Sequence, residues 1–384
     1  MHLKLKRVKL FLWVNNKISD FFFKWITIKD FRDESSYSIT NLKPPFTFNV
    51  DLKNYSISAT PYWKLFSNLR SSTLFYAKIN QATIVSKGIV INKEKEVILE
   101  STIFQLEYLN ILSSNHIVKF QKLLPTSSED KVFSLLNKLD NNYYHWTLES
   151  LTRLLLVHDL PFFKDYKVVI KHKPLPFIKA SLQFLFNLNE NQIIEKPLYK
   201  RIKAKEALIV SFPHIRNETT QNTNTYYPFI IQQLNELANR RLLERKIKFN
   251  TPKNIIISRK NATERKIINE ATLEESLQSY NFKCISLESL SFIEQVTLFA
   301  NANIVIATHG AGIANIIYSK KALLIELFPK QRNIRDAYYF AQITGALGLE
   351  HHALLYEEET YTQNVFITKS MLRKIDKILK TFNN

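Results

Sequence analysis

The sequence predicts an α/β fold with two domains, from its length, the order of its secondary-structure elements and one glycine-rich turn. The chain has 384 residues, of which 45% are hydrophobic. Single hydrophobic cores stop growing at roughly 250–300 residues, so we expect two cores. From residue 253 to residue 329 apolar strand and helix patterns alternate, which is typical of a doubly wound parallel sheet. The turn, at residues 309–312, lies within this alternation.

We divide the chain into four segments. Residues 1–30 form a basic amphipathic segment, and residues 31–250 form an N-terminal α/β domain that begins with a partly β region. The boundary falls at the Asn-Thr-Pro sequence of residues 250–252. Residues 251–355 form a C-terminal Rossmann-like domain, and residues 356–384 include a helix that we expect to pack back on the first domain.

The elements of the first domain follow from hydrophobic periodicity. A strand pair is expected at residues 82–90 and 96–101, and the spacing of Val132, Leu135 and Leu136 predicts a helix that begins at Lys131. The later elements, in chain order, are a helix at residues 143–156, a strand at 167–171, a helix at 176–186, a strand at 207–212 and a helix at 228–248.

The second domain has clearer signals. Ser291 and Glu294 match a capping box, in which two side chains satisfy the amides at a helix start. The expected elements, in chain order, are a strand at residues 253–258, a helix at 270–280, a strand at 282–287, a helix at 291–301, a strand at 304–307, a helix that begins near residue 313, a strand at 322–329 and a final helix at 371–382.

Composition limits the functional classes. The net charge of +19 implies an anionic partner, yet the signatures of common nucleic-acid-binding folds are absent from the sequence. The single cysteine, Cys284, excludes an internal disulfide framework and fits a reducing compartment. The sequence contains no apolar run of about 18 residues and no His, Cys and Asp cluster with metal-ligand spacing, so we predict no membrane span and no metal.

The first 30 residues mix lysines with large apolar side chains, such as Phe21, Phe22 and Trp25. This composition is typical of a segment that lies on an anionic membrane surface. A helix docked on its own domain has the same composition, and we slightly favour that alternative.

The turn at residues 309–312 has the features of an anion-binding site. The chain has only five glycines, and Gly310 and Gly312 are two of them. A glycine-rich turn at a helix start offers free amides and the positive end of the helix dipole to a phosphate. Arg259 follows a predicted strand and Glu326 lies near the end of another, so all three features fall at one edge of the sheet. We expect Arg259 to bind phosphate oxygens and Glu326 to accept from a ribose.

The helix at residues 143–156 carries a polar stripe. His145, Glu149 and Arg153 are spaced four residues apart and therefore share one face of an α-helix. This pattern has two interpretations: a histidine beside a surface ion pair of Glu149 with Arg153, or a catalytic histidine beside a carboxylate.

These motifs together resemble glycosyltransferase family 61. The resemblance spans residues 80–355 and is carried by the sequences at residues 142–149 (Asn-Tyr-Tyr-His-Trp-Thr-Leu-Glu), 257–259, 294–295, 308–315 (Thr-His-Gly-Ala-Gly-Ile-Ala-Asn) and 325–329. It implies an inverting, metal-independent enzyme of the two-domain GT-B type, whose Rossmann-like domains face each other across a cleft. Such proteins use nucleotide sugars and often act in capsule or lipopolysaccharide biosynthesis.

On this basis we expect a nucleotide-sugar donor, of UDP type, on the second domain and a glycan or lipid-linked glycan acceptor on the first. No cofactor and no nucleic-acid partner are expected, and the protein would be cytoplasmic or peripheral on the inner face of the membrane. A basic nucleic-acid-binding protein is the alternative. The expected donor residues are Ser258, Arg259, His309, Gly310, Ala311, Gly312, Asn315 and Glu326, and the acceptor-side candidates are Tyr144, Trp146, Arg153 and His214.

An inverting transfer needs a base on the acceptor side. His145 oriented by Glu149 is one assignment, and Glu149 as base with His145 binding the acceptor is the other. We favour His145 because an exposed glutamate with an ordinary pKa is a poor base. His214 and His309 are further candidates.

Overall fold

The structure, a computed structural model, describes residues 24–26, 37–57, 67–101, 121–137, 139–215, 224–357 and 362–383. Nineteen strands lie in these ranges. They are β1 (Lys24–Ile26), β2 (Tyr37–Lys43), β3 (Thr47–Phe48), β4 (Tyr55–Ile57), β5 (Leu69–Arg70), β6 (Leu74–Val85), β7 (Ile89–Ile91), β8 (Glu96–Ile98), β9 (Thr126–Ser134), β10 (Lys167–Lys171), β11 (Ile193–Lys196), β12 (Arg201–Val210), β13 (His214–Ile215), β14 (Thr225–Tyr226), β15 (Asn254–Ser258), β16 (Phe282–Ser286), β17 (Ile304–Thr308), β18 (Leu323–Pro329) and β19 (His351–Tyr356).

Seven helical segments accompany the strands. They are α1, which consists of Tyr143–His145, a π-helical turn at Trp146–Leu151 and Thr152–Leu155, then α2 (Pro176–Phe186), α3 (Pro228–Glu244), α4 (Glu270–Ser276), α5 (Phe292–Asn301), α6 (Tyr338–Ala346) and α7 (Lys369–Asn383). Short 3₁₀ helices lie at Leu99–Ser101, Gln121–Leu123, Phe163–Asp165, Glu190–Gln192, Gln278–Tyr280, Leu287–Ser289, Ala311–Tyr318 and Ile334–Ala337.

The first sheet is mixed. Its strand order is β1-β8-β7-β6-β12-β9-β10-β11, and β2 pairs with β6. Strands β12, β9, β10 and β11 run parallel, whereas β6 is antiparallel to β12, β7 and β2. The parallel half needs crossover connections, and α1 and α2 supply two of them. The first half of the chain is therefore an α/β layer joined to an antiparallel meander.

The second sheet is parallel throughout, in the order β16-β15-β17-β18-β19-β4. Strands β17 and β18 are buried along their whole length, which explains their continuous apolar sequences. The chain order reverses between β15 and β17, and ligands of such sheets bind beyond the carboxyl ends of the strands at this point. The prediction of a doubly wound parallel sheet is confirmed in this half.

Two expectations about which domain a segment belongs to are corrected. Strand β4 lies within residues 31–250, yet it pairs in parallel with β19 and so completes the second sheet. The C-terminal helix α7 does not return to the first sheet, because Met371, Ile375 and Leu379 pack in the core beneath the second sheet.

A layer of helices joins the two halves. One hydrophobic core contains Leu151 of α1, Leu234 of α3, Ile317 of the 3₁₀ helix Ala311–Tyr318 and Ile343 of α6, together with residues of both sheets. The N-terminal amphipathic segment lies outside the described residues, except for β1, which pairs with β8.

One predicted helix is a strand. Residues 131–136 belong largely to β9, in which Val132 pairs with Lys167 on one side and Ala207 on the other. Val132 to Leu136 are buried because this central strand is covered on both faces, and its apolar run therefore shows no alternation.

Candidate active site

The glycine-rich turn connects β17 to the 3₁₀ helix Ala311–Tyr318. The amide of Ile313 donates to the carbonyl of Gly310 at 3.0 Å and closes the first helical turn. The amides of Gly310, Ala311 and Gly312 precede this bond and have no partner within the helix. The sequence predicted a helix start at this position, and the structure places it at the carboxyl edge of the second sheet.

Close contacts explain the two glycines. A Cβ atom on Gly310 would lie 2.9 Å from Nη1 of Arg259, and one on Gly312 would lie 3.0 Å from Cδ1 of Leu287. The φ angle of Gly310 is 171°, which is extended backbone that any residue adopts. Gly310 therefore makes room for the guanidinium of Arg259 beside the turn.

Three arginines surround this turn. Arg259 donates from Nε and Nη2 to the carbonyl of Glu264, at 3.2 Å each. Arg265 donates from Nη1 to the carbonyl of His309 at 3.0 Å, and Arg332 lies 2.8 Å from the carboxylate of Asp336. The pKa of Arg265 is lowered, first by burial and then by the charges of Arg259 and Arg332. Three cations near one turn form a site that an anion would stabilise.

His309 lies within this cluster and is almost completely buried. Its Nδ1 is 2.5 Å from Oε1 of Glu326, and Oε2 of Glu326 is 3.1 Å from Nε2 of His351. The series of hydrogen bonds continues to Thr344, whose Oγ1 is 3.2 Å from Nδ1 of His351. Four side chains thus form one hydrogen-bonded row that fixes the His309 ring.

Burial sets the protonation of this row. It lowers the pKa of His309 well below its ordinary value, and the charges of Arg332, Arg265 and Arg259 lower it further. Burial also lowers the pKa of His351 to about 3 and raises that of Glu326. All three shifts favour uncharged side chains.

The expected role of Glu326 as a ribose acceptor is corrected. Its side chain has no solvent exposure, and both carboxylate oxygens are engaged by histidines. A ribose therefore has no access to it, and Glu326 acts as a positioning residue for His309.

The second cluster forms around Glu149 in α1. Nδ1 of His145 is 2.8 Å from Oε1 of Glu149, which also accepts from Nδ2 of Asn224 at 3.2 Å and from the hydroxyl of Tyr226 at 3.3 Å. Glu149 has no exposure, whereas 23% of the His145 side chain is exposed. Glu149 Oε2 is buried and has no hydrogen-bond partner among the described residues. Solvent and substrates therefore reach His145 and not Glu149.

Burial changes the predicted stripe. Helix α1 contains a π-helical turn at Trp146–Leu151, and Arg153 follows this turn as a buried side chain rather than a surface one. Arg153 is buried, donates from Nε to the carbonyl of Val210 at 3.3 Å and lies against the ring of Phe212. Burial lowers its pKa to about 10. The structure therefore contradicts two expectations, the surface ion pair of Arg153 with Glu149 and the acceptor-side role of Arg153.

Three other expected site residues are structural in this fold. Trp146 is buried and donates from Nε1 to Ser181 at 2.9 Å, so it does not face an acceptor. The hydroxyl of Ser258 donates to Glu270 at 2.8 Å. Asn315 is buried and accepts from the hydroxyl of Tyr143 at 2.6 Å, which ties α1 to the 3₁₀ helix.

Tyr144 and His214 remain near the Glu149 cluster. The ring of Tyr144 lies 5.7 Å from Phe340, and Phe340 lies 5.2 Å from the ring of His309. Phe340 therefore separates the two clusters by a single aromatic ring. The ring of His214 lies 5.3 Å from Tyr226, which itself bonds to Glu149.

Several residues of the two clusters were not found from the sequence. They are Arg265, Arg332, His351, Asn224 and Tyr226. Arg332 follows β18 closely, and this position after a strand was an available signal. The other four reach the clusters through tertiary contacts that have no local pattern.

In the described part of the chain, no group of three or more His, Cys, Asp and Glu side chains is arranged to hold a metal ion. Among the same residues, no helix is both long and apolar enough to cross a membrane.

Two α/β sheets and an arginine-lined turn at the carboxyl edge of the second sheet define this molecule as an α/β protein with a candidate anion site. Residues 143–325 match the family model described as Glycosyltransferase 61. This match supports the family resemblance and a glycosyltransferase activity. It covers the chain from α1 to the start of β18 and includes both clusters except Glu326, Arg332, Thr344 and His351. The search of curated proteins found no match.

Proposed function

We propose that this protein is an inverting, metal-independent glycosyltransferase that moves a sugar from a nucleotide-sugar donor, of UDP type, to a glycan or lipid-linked glycan. The observation that carries the proposal is the convergence of Arg259, Arg265 and Arg332 on the turn that contains His309. A nucleoside diphosphate would bring further anionic oxygens to these cations, of which Arg332 is paired with Asp336 at 2.8 Å and Arg265 with Glu264 at 3.8 Å. The amides of Gly310 to Gly312 would add donors at the same place.

The reaction follows from the two clusters. An acceptor hydroxyl attacks the anomeric carbon, the bond from that carbon to the diphosphate breaks, and the diphosphate leaves with the bonding electron pair. The arginines stabilise the leaving group, and the hydroxyl proton passes to Nε2 of His145. Glu149 accepts from Nδ1–H of His145, which leaves the Nε2 lone pair free. Capsule or lipopolysaccharide biosynthesis, on the cytoplasmic side and in the GT-B arrangement, is the setting that the family resemblance implies.

A panel of nucleotides and nucleotide sugars tests the donor site. By thermal shift or calorimetry, a UDP-type ligand should stabilise the protein by about 2.7 kcal/mol at a hundredfold excess over Kd. Arg265→Ala and Arg332→Ala should each weaken binding by about 1.5–3 kcal/mol, because each removes a charge-assisted hydrogen bond.

Arg335→Ala is the matched control, because Arg335 is an exposed arginine three positions from Arg332. It should bind donor as the wild type does. Absence of stabilisation by every ligand in the panel, with the protein folded by circular dichroism, would refute the donor site. An equal loss in the Arg335 variant would show that only net charge matters.

A further inference from the structure

We infer that the protein binds an anionic membrane through a second surface, which lies at the amino ends of β9 and β12. This surface is a groove of about 870 Å³ in the first sheet. Its lining includes six basic residues and two acidic ones. The basic residues are Lys93, Lys95, Lys122, Arg201, Lys203 and Lys205, and the acidic ones are Glu129 and Asp130.

Strand pairing produces the charge of this groove. Side chains alternate along a strand, so Arg201, Lys203 and Lys205 project from the same face of β12. The two acids are neutralised by lysines, since Glu129 lies 2.9 Å from Lys167 and Asp130 lies 2.7 Å from Lys205. Lys93 is paired with Glu94 at 3.4 Å beside the groove, and the six basic residues of the lining still outnumber its two acids.

Large apolar side chains stand exposed in the segments that lead into β9 and β12. Leu123 is 81% exposed and Tyr199 is 66% exposed. The two segments are held together, because the amide of Arg201 donates to the carbonyl of Pro125 at 3.0 Å and Nε of Arg201 donates to Thr126 at 2.6 Å. Leu123 precedes the start of β9 by three residues and Tyr199 precedes the start of β12 by two.

Exposed leucine and tyrosine beside lysines fit a bilayer interface better than a nucleic acid. Lysines near an anionic leaflet each contribute about 1 kcal/mol, and apolar side chains enter the boundary between headgroups and acyl chains. A nucleic acid would use the charges and could stack on Tyr199, but it offers no partner for Leu123.

The surface is separate from the proposed chemistry. It lies at the amino end of β9, whereas α1 with its His145–Glu149 pair follows the carboxyl end of that strand. Membrane binding can therefore be measured without donor or acceptor, and its failure would leave the proposed transfer reaction untouched.

Vesicle sedimentation of the full chain tests the inference. Vesicles with about 30% phosphatidylserine or phosphatidylglycerol should bind the protein, and pure phosphatidylcholine should not. The triple variant Lys122→Ala, Arg201→Ala, Lys203→Ala should bind roughly a hundredfold more weakly, at about 1 kcal/mol for each charge. The double variant Leu123→Ser, Tyr199→Ser should also lose affinity, and the wild type should bind less at high salt.

The control removes three charges elsewhere. Lys283, Lys320 and Lys321 are exposed and belong to the second half of the chain, so their triple alanine variant should bind vesicles almost normally. Equal losses in both triple variants, or undiminished binding of both groove variants, would overturn the inference. Tighter binding to duplex DNA than to vesicles, lost in the same groove variants, would replace the membrane with a nucleic acid.

Discussion

His145 and Glu149 differ in access although they share one hydrogen bond. Glu149 is buried beneath three donors, namely His145, Asn224 and Tyr226, and only the histidine reaches solvent. This difference supports His145 as the base and Glu149 as the residue that orients it, which is the assignment favoured from the sequence. The reason differs, because the sequence argument assumed an exposed Glu149 and the carboxylate is buried. The same arrangement of histidine and carboxylate recurs at His309 and Glu326, where burial disfavours charge.

Removal of the proposed base gives a direct test. With a donor and an acceptor identified by screening, His145→Ala should lower kcat by 10²–10⁴-fold and leave donor affinity unchanged, since general base catalysis contributes about this factor. Glu149→Gln should also slow turnover, because its amide can donate to Nδ1 and so move the imidazole proton to Nε2.

His172→Ala is the control, because His172 is an exposed histidine of the same half of the chain. It should turn over normally. Near-normal turnover of His145→Ala would place the base elsewhere, and His214 would then be the next residue to replace.

Lys196 gives a prediction about pH. It is buried, donates from Nζ to the carbonyl of Ser86 at 2.8 Å, and burial lowers its pKa from 10.5 to about 8. Between these values the unfolded chain binds more protons than the native one, so this residue adds stability as pH rises. The difference between these two pKa values corresponds to at most about 3 kcal/mol in the free energy of unfolding.

Urea unfolding at pH 7.5 to 10 should therefore show the stability of wild type increasing relative to that of Lys196→Met. Comparing the two proteins at each pH cancels the titration of other groups. Lys283→Met, at an exposed position, should track the wild type. A constant difference between wild type and Lys196→Met would show that Lys196 is not desolvated.

At the scale of elements, α6 is the helix that holds the second sheet to the rest of the chain. It carries Phe340, which lies between the two clusters, and Gln342, which accepts from the amide of Tyr226 at 2.9 Å. Gly345 allows the backbone at Asp51 to pack directly against it, since a Cβ there would lie 1.8 Å from the Asp51 carbonyl oxygen.

Gly345→Ala should destabilise the protein by at least about 2 kcal/mol in urea unfolding, because backbone must move to admit the methyl group. The better helix propensity of alanine, about 1 kcal/mol, does not offset this overlap. Gly348→Asn is the control: Gly348 has φ +68°, which asparagine tolerates, and nothing lies within 4 Å of its Cβ position. A Gly345→Ala protein as stable as wild type would contradict this packing.

The sequence predicted some elements better than others for physical reasons. The bounds of β10 and α2 were predicted to the residue, and the capping box of Ser291 and Glu294 is present. These signals are local. The sequence predicts a helix at β9 because a strand buried on both faces shows no alternation, and it gives no signal for β4 because the partner of that strand is remote in sequence.

The same distinction between local and long-range signals applies to the candidate active site. The Gly310–Gly312 turn and the His145–Glu149 pair are short-range patterns, and the structure places both in polar clusters. The roles expected for Arg153, Trp146 and Asn315 failed because they depend on which way each side chain faces. Tertiary packing decides that direction, through Val210 for Arg153, Ser181 for Trp146 and Tyr143 for Asn315.

At the scale of the whole molecule, the two halves share more than a linker. One core runs through the helical layer, and hydrogen bonds cross it, including Nδ2 of Asn235 to the carbonyl of Ile317 at 2.6 Å. The His145–Glu149 pair is brought to the second sheet by the bond between Tyr143 and Asn315. The relative position of the two clusters is therefore set by packed side chains of α1, α3 and α6.

Strand β4 has a consequence for synthesis of the chain in the cell. Ser56 of β4 and His352 of β19 are 296 positions apart, and they are neighbours in the finished sheet. At roughly 5–20 residues per second, the ribosome needs on the order of 15–60 s to deliver the partner strand. During that interval Tyr55, which is buried in the folded protein, has no sheet to join. The second sheet is thus closed by a segment that is made long before its partner, and a nascent chain has to keep that segment from premature pairing until β19 has been made.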